Sequence, residues 1–135
     1  MNIKINAFLI DDDEPTNFLN KHLLKKTYKV SDVKIFQMAK QAMDYLYKLS
    51  AEDEKFPELI FLDINMPGLD GWTFVNEFNK LTLLKEQKTI IIMLSTSINP
   101  SDYERSESHP AVSEIMTKPL DPEKLNEALN KYFPD

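Results

Sequence analysis

The stretch LIFLDINMPGLDGW, residues 59–72, is the part of this chain that indicates its fold most clearly. Its first four residues, Leu59–Leu62, form a continuous apolar run of strand length, as expected for a strand buried on both faces of a parallel sheet. Asp63 ends that run. Gly68 and Gly71, the only two glycines of the chain, follow in a segment that needs relaxed backbone geometry. A carboxylate is therefore predicted at the carboxyl end of a buried strand.

Apolar runs of strand length alternate with helical segments on both sides of this stretch. The other runs are Ile5–Ile10, Val33–Phe36, Ile90–Leu94 and a weaker one, Ala111–Met116. Helical spacing is found in four groups of residues: Phe18, Leu19, His22 and Leu23; Ala39, Ala42, Met43 and Leu46; Phe74, Val75, Phe78 and Leu81; Leu125, Ala128 and Leu129.

Two Asx-Pro pairs indicate further helix starts. Asn99-Pro100 and Asp121-Pro122 each place a capping side chain before a proline suited to the first helical position, so a short helix is expected after Asn99. Alternating strands and helices predict a parallel sheet covered on both faces, with right-handed crossovers. The predicted fold is α/β, a doubly wound (βα)₅ domain with one open five-stranded sheet.

Length and composition limit the classes of protein that the chain can belong to. Its 135 residues suit one domain, residues 1–135, and 42% hydrophobic with 28% charged residues is typical of a folded globular protein. The absence of cysteine excludes disulfides, thiolate metal sites and a cysteine nucleophile. A net charge of −6 argues against nucleic-acid binding. No signal-like start and no apolar run of roughly 18 residues occur, so a cytoplasmic protein is predicted, without a membrane span.

Polar side chains follow four of the predicted strands. They are Asp11, Asp12 and Asp13; Asp63; Ser95, Thr96 and Ser97; Thr117, Lys118 and Pro119. Each has an ordinary structural interpretation, since polar residues often follow strands and Asp13 can cap a helix. In a parallel sheet, however, the carboxyl ends of the strands form one edge, where ligands bind. Asp11, Asp12 and Asp63 would repel one another there, which indicates a positive partner.

Mg²⁺ is the predicted partner of these carboxylates, with Mn²⁺ as an alternative. Mg²⁺ prefers a few hard oxygen ligands and leaves room for water and phosphate. A carboxylate is also a competent nucleophile toward phosphorus, so Asp63 is the predicted acceptor of a phosphoryl group. The Ser95 hydroxyl and the Lys118 ammonium would then contact oxygens of that group.

Four motifs, in this order, resemble the receiver domain of two-component response regulators. They are FLIDDDE (residues 8–14), LIFLDINMPGLDGW (59–72), IIIMLSTS (90–97) and IMTKPL (115–120). The resemblance covers essentially the whole chain and suggests the stand-alone, single-domain type, like the bacterial chemotaxis response regulator, without an output domain. It implies a flavodoxin-like sheet of order 2-1-3-4-5, which the residues alone do not establish.

The resemblance also implies a role for each motif residue. Asp12 and Asp63 are expected to bind the metal directly, with the backbone carbonyl of Asn65, and Asp11 through water. Asp63 is the expected phosphoacceptor and Lys118 the expected phosphate contact. The peptide bond before Pro119 is expected to be cis.

Switching is expected to involve Ser95 and Thr96 at the end of the fourth strand. Three residues before the lysine, many receivers carry an aromatic residue that moves with the switch hydroxyl, whereas this chain has Ile115. A β-branched residue is expected to serve mainly strand packing. The aromatic part of the family's switch is therefore in question.

The resemblance also implies the partners. The phosphoryl donor would be a histidine kinase or a histidine phosphotransfer protein, and the signal would leave through an unidentified protein bound to the face formed by the fourth helix, fifth strand and fifth helix. The domain would promote its own aspartyl phosphorylation and dephosphorylation, so it is not expected to turn over a separate substrate.

Two other functions use parts of the same set of residues. A phosphatase of the haloacid dehalogenase type also uses an aspartate nucleophile, but Pro15 stands where its signature needs Thr or Val. A receiver fold that works by protein contact alone would not need the complete set of acidic and lysine positions.

His22 is interpreted as a surface or packing residue, not a phosphohistidine, and Trp72 as an anchor at a helix start.

Overall fold

A computed structural model describes residues 4–83, 85 and 87–135. Strands and helices alternate throughout, which confirms the predicted (βα)₅ arrangement. The strands are β1 (Ile5–Ile10), β2 (Val30–Phe36), β3 (Leu59–Asp63), β4 (Ile90–Ser95) and β5 (Glu114–Thr117). The helices are α1 (Glu14–Lys26), α2 (Ala39–Ala51), α3 (Gly71–Thr82), α4 (Pro100–Ser108) and α5 (Pro122–Tyr132).

The five strands form one parallel sheet in the order β2-β1-β3-β4-β5, as the resemblance implied. Every residue of β3 and β4 is buried, because helices cover both faces of the sheet. Alternate residues of β1 enter two apolar clusters: Phe8 and Ile10 pack with α2 and α3, whereas Ala7 and Leu9 pack with α1 and α5. The sheet therefore separates two halves of the core.

Side-chain caps fix the starts of four helices. Asp13 accepts a hydrogen bond from the backbone of Thr16 at the start of α1, and Asp70 does the same with Thr73 at the start of α3. The predicted caps are also confirmed: Asn99 forms a capping box with Asp102, and Asp121 accepts from the backbone of Lys124. These caps place the loops that precede the helices at the carboxyl edge of the sheet.

The two edge strands differ from their predicted bounds. β2 begins at Val30 instead of Val33, since its exposed Ser31 and Asp32 hide the pattern expected of a buried strand. The fifth strand, predicted as Ala111–Met116, covers Glu114–Thr117. Edge strands have one free side and need less apolar sequence, which makes their ends hard to predict.

The buried face of α1 is not the one that the apolar spacing suggested. Phe18 and Leu19 are 71% and 61% exposed, and His22 is exposed as well, in agreement with its interpretation as a surface residue. The helix buries Asn17, Asn20 and Leu24 instead. The buried faces predicted for α2, α3 and α5 are correct.

Gly71 lies where the backbone of α3 touches the end of β3. A Cβ atom there would lie 2.9 Å from the Cα of Ile64 and 3.0 Å from the carbonyl oxygen of Asp63. Gly71 also donates a backbone hydrogen bond of 2.9 Å to Ile64. Glycine therefore permits the close approach that brings α3 against the end of β3.

Gly71→Ala is expected to lower the free energy of unfolding by about 1 kcal/mol. The steric clash costs about 2 kcal/mol, and the smaller conformational freedom of alanine in the unfolded chain offsets part of it. Urea unfolding measures the difference. Thr73→Ala, an exposed position in the same helix, serves as control, and a Gly71→Ala protein as stable as wild type would contradict the expectation.

None of the helices in the described part of the chain is both long and apolar enough to span a bilayer.

Candidate functional site

The polar residues that follow β1, β3 and β5 meet at the carboxyl edge of the sheet. The register pairs Ile10 with Leu62 and Asp63 with Leu94, so the ends of neighbouring strands lie side by side. Asp11, Asp12 and Asp63 each place one carboxylate oxygen within 4.8 Å of the others. The predicted convergence of three carboxylates is therefore observed.

The acidic cluster is buried at its base and open at one side. Asp11 and Asp63 are buried, with exposures of 4% and 7%, whereas Asp12 is exposed. A solute can therefore approach from the side of Asp12. Two of the three carboxylates are largely removed from water, which makes their mutual repulsion costly.

Lys118 supplies the positive side chain of the cluster. Its Nζ lies 2.7 Å from Oδ2 of Asp11 and 3.5 Å from Oδ2 of Asp63. Burial lowers the pKa of Lys118, but the hydrogen bond and charge of Asp11, together with Asp63, outweigh this effect and hold the pKa above its usual value. One ammonium thus contacts two carboxylates of a cluster of three, and the cluster keeps an excess of negative charge.

Asp63 has the environment of a basic carboxylate. Its Oδ1 accepts a backbone hydrogen bond of 3.3 Å from Asn65. Burial and the neighbouring charge of Asp11 raise the pKa of Asp63 to about 6, against the opposing effect of Lys118. The group is still ionised in most molecules at neutral pH, and its raised basicity favours attack on an electrophile.

The donor set fits a small, hard divalent cation. Carboxylate oxygens without sulfur or imidazole ligands are typical of Mg²⁺ sites, which need only one or two carboxylates and retain several waters. A cation at this position would offset the excess negative charge and lower the raised pKa of Asp63. Asp12, the exposed carboxylate of the three, has oxygens available to the cation.

Asp11 is less available than Asp12 as a direct ligand. Its Oδ1 accepts the backbone N–H of Asp13 at 2.9 Å, and its Oδ2 accepts the ammonium of Lys118. Both oxygens therefore already have a protein donor, which favours contact with a cation through water.

The Ser95 hydroxyl lies at the end of β4 and is engaged within its own loop. Ser95 is 1% exposed, and its Oγ donates to the carbonyl of Ser97 at 2.8 Å and accepts from the N–H of Ser97 at 3.2 Å. In the sheet register Ser95 pairs with Thr117, and Thr117 directly precedes Lys118 in the chain. The hydroxyl and the ammonium thus start from neighbouring strand ends.

Comparison with known proteins agrees with this geometry. The family model of the response regulator receiver domain matches residues 7–130, which include every motif residue discussed above. The chain belongs to the response regulator receiver family. The match, with the strand order, gives the phosphatase alternative no support.

Several similar proteins match this chain over nearly their whole length. This receiver domain is 28% identical to sporulation initiation phosphotransferase F of Bacillus subtilis, over 99% of this chain and 96% of that protein. A crystal structure of a two-component response regulator from Cytophaga hutchinsonii superposes with a TM-score of 0.87, at 32% identity and full coverage of both chains. A response regulator receiver protein from Dyadobacter fermentans gives a TM-score of 0.81 at 27% identity, covering 96% and 98%.

One curated relative is much longer than the receiver domain. A protein-glutamate methylesterase/protein-glutamine glutaminase of Hahella chejuensis is 28% identical over 71% of this chain, but the match spans 23% of that protein. This match is therefore evidence for a signalling domain in this chain, and not for the methylesterase or glutaminase activity of that protein.

Three other predicted positions can be located in the receiver domain. The peptide bond between Lys118 and Pro119 is cis, as the resemblance implied. Thr96 is exposed, and it lines a surface cavity together with Lys118 and Pro119. Ile115 is half-buried in β5 and packs against the core on the side of α2 and α3, which agrees with its interpretation as a packing residue.

Trp72 anchors the start of α3, as expected, and also contacts α4. The indole is 7% exposed, the guanidinium of Arg105 lies 4.5 Å from its ring centroid, and the ring of His109 lies 6.4 Å away. His109 also hydrogen-bonds to Asn76 of α3 at 2.7 Å. The start of α3 is thus tied directly to α4.

Sequence reasoning missed Asn17. This residue is 1% exposed on α1, and its Nδ2 donates a hydrogen bond of 2.8 Å to the carbonyl oxygen of Asp11. The available signal was a polar residue six positions after Asp11, in a segment where Phe18 and Leu19 suggested a different buried face.

Proposed function

We propose that Asp63 accepts a phosphoryl group in a reaction that requires Mg²⁺, and that the phosphorylated domain signals through protein contacts. Receiver domains take phosphoryl groups from histidine kinases or phosphotransfer proteins, so the donor is a phosphohistidine of such a protein. The observation that carries this proposal is the buried Asp63 carboxylate, with its pKa raised to about 6, beside a lysine and two further aspartates.

The transfer is a displacement at phosphorus. A carboxylate oxygen of Asp63 attacks the phosphorus atom, a new P–O bond forms, and the P–N bond to the donor histidine breaks. The leaving imidazole keeps the electron pair of that bond and takes up a proton. Lys118 stays protonated and pairs with an oxygen of the transferred group. The product is an acyl phosphate on Asp63.

Mg²⁺ would be held by Asp12, Asp63 and the backbone carbonyl of Asn65, with Asp11 acting through water. When bound, the cation would offset negative charge on the phosphoryl oxygens. The carboxylates themselves orient the site, and the open side at Asp12 admits the donor. Mn²⁺ has similar ligand preferences and is expected to substitute.

The switch is proposed to begin at Ser95 and Thr96. The Ser95 hydroxyl exchanges its bond to Ser97 for a phosphoryl oxygen, and the loop moves with it. The signal then passes to a protein partner through α4, β5 and α5. On that face, Tyr132 of α5 donates a hydrogen bond of 2.7 Å to Glu114 of β5, so these two elements move together.

Intact-mass analysis after incubation with acetyl phosphate and Mg²⁺ tests the proposal. Wild type is expected to gain the mass of one phosphoryl group, and this adduct is expected to vanish in EDTA. Asp63→Asn should give no adduct. Asp70→Asn is the matched control, because it makes the same change in the same loop while its carboxylate lies outside the cluster and caps α3.

Two outcomes would overturn the assignment. An unmodified wild-type protein in Mg²⁺ would mean that the site does not accept phosphorus. An undiminished adduct in Asp63→Asn would place the acceptor elsewhere.

A further inference from the structure

Asp11 is held by protein groups at every polar atom. Its N–H donates to the carbonyl of Phe36 at 3.1 Å, and its carboxylate accepts from Asp13 and Lys118. Its carbonyl oxygen accepts the side-chain amide of Asn17 at 2.8 Å. The last bond ties the acidic loop to the buried face of α1, behind the carboxylates.

Packing alone does not explain an asparagine at position 17. Its side chain is buried between the end of β1 and β3, and Phe61 and Leu94 lie beside it. The Oδ1 atom has no hydrogen-bond partner among the described residues. A buried amide with an unmet acceptor is unfavourable, and asparagine is also a weaker helix former than leucine. The bond from Nδ2 to Asp11 is what the amide provides and an apolar side chain does not.

That bond opposes a specific force. Three carboxylates lie within 4.8 Å of one another, and their repulsion pushes the loop that carries Asp11 and Asp12 away from Asp63. Asn17 holds the backbone of this loop at its first residue. Without the bond, Asp11 loses one of its four polar contacts, the loop is held less firmly and the carboxylate oxygens can move apart.

We propose that Asn17 is a positioning residue for the divalent cation, which keeps the carboxylates of Asp11 and Asp12 at the spacing that Mg²⁺ requires. This inference rests on the proposed function, since it concerns the same cation site. Asn17 is not one of the proposed ligands and would act through the backbone carbonyl of Asp11. Loss of such an outer partner typically weakens metal binding by about tenfold or more.

The test compares Asn17→Leu and Asn17→Ala with Asn20→Ala. Asn20 is a matched control, because it lies one turn further on the same buried face of α1 and its side chain makes no hydrogen bond to the acidic loop among the described residues. The dissociation constant for Mg²⁺ is measured by calorimetry on the full chain, without a phosphodonor. Urea unfolding in EDTA reports the stability of each variant separately.

Both Asn17 variants are expected to bind Mg²⁺ about tenfold more weakly than wild type, and Asn20→Ala is expected to bind it normally. Asn17→Leu should still unfold cooperatively, so weaker binding is not a result of unfolding. Wild-type affinity in Asn17→Leu would overturn the inference. An equal loss of affinity in Asn20→Ala would overturn it too, because the effect would then be one of packing.

The two proposals fail in different ways. If wild type binds Mg²⁺ and is phosphorylated while Asn17→Leu binds Mg²⁺ equally well, the inference about Asn17 is wrong and the proposed function stands. If wild type does not bind Mg²⁺, the cation site itself is wrong, and the role of Asn17 is rejected with it.

Discussion

Lys118→Met is expected to lower the free energy of unfolding by about 3 kcal/mol at pH 7 in the absence of divalent cations. Methionine keeps most of the apolar stem but removes the charge that lies 2.7 Å from Asp11 and 3.5 Å from Asp63. Removing one member of a buried ion pair typically costs about 3 to 5 kcal/mol, because the remaining charge is left without a partner. The lower value is expected because the cluster is open to water on the side of Asp12.

Urea unfolding in EDTA measures this loss, and Lys124→Met is the matched control. Lys124 lies close by in the chain, and its ammonium contacts the backbone carbonyls of Thr117 and Pro119 instead of a carboxylate. A further result distinguishes the cause: Mg²⁺ should restore more stability to Lys118→Met than it adds to wild type, because the cation replaces the missing charge. Equal losses in the two lysine variants would show that the ion pairs do not stabilise the fold.

The central sheet could be predicted from the sequence because each buried strand is a short, continuous apolar segment. Strands buried on both faces must be apolar at nearly every position, and β3 and β4 satisfy this without exception. The residue that ends such a strand necessarily lies at the carboxyl edge of the sheet. The sequence alone therefore predicts that Asp63 meets the pair Asp11 and Asp12. The strand order itself came from the family resemblance.

The first helix shows where this reasoning stops. Its phase is set by the cap at Asp13 and by the bond from Asn17 to Asp11, two polar contacts that apolar periodicity does not detect. As a result Phe18, the largest apolar residue of the segment, faces outward, and so does Leu19. Near a polar site, a helix buries the side chains that complete the site, and a hydrophobic pattern then indicates the wrong face.

The charge balance of the site could not be obtained from the sequence either. Lys118 was predicted to contact the phosphoryl group, but its nearest carboxylate belongs to Asp11. Which carboxylate keeps an excess of negative charge depends on distances of a few tenths of an ångström and on burial. Burial and the charge of Asp11 raise the pKa of Asp63, and neither can be obtained from the order of residues alone.

Asp63→Asn is expected to raise the free energy of unfolding by about 2 kcal/mol at pH 7 without divalent cations. The pKa of Asp63 is about 6 in the folded protein and 3.8 for an ordinary aspartate. Between these values the folded chain binds more protons than the unfolded chain, so stability falls as the pH rises toward 6, and the cost is complete above it. A difference of about two in pKa corresponds to about 3 kcal/mol, which partial solvation of the cleft reduces.

The pH dependence identifies the cause of this gain. Well below pH 3.8 the carboxyl of Asp63 is neutral in both the folded and the unfolded chain. The stability of Asp63→Asn should then match that of wild type, and the difference should grow as the pH rises to about 6. Urea unfolding at a series of pH values in EDTA measures it, with Asp70→Asn as the control for loss of an ordinary carboxylate. Saturating Mg²⁺ should shrink or reverse the gain, because the cation binds wild type more tightly than the variant. A variant less stable than wild type at pH 7 in EDTA would show that Asp63 is stabilised by Lys118 more than it is strained by burial and Asp11, and the raised pKa would be wrong.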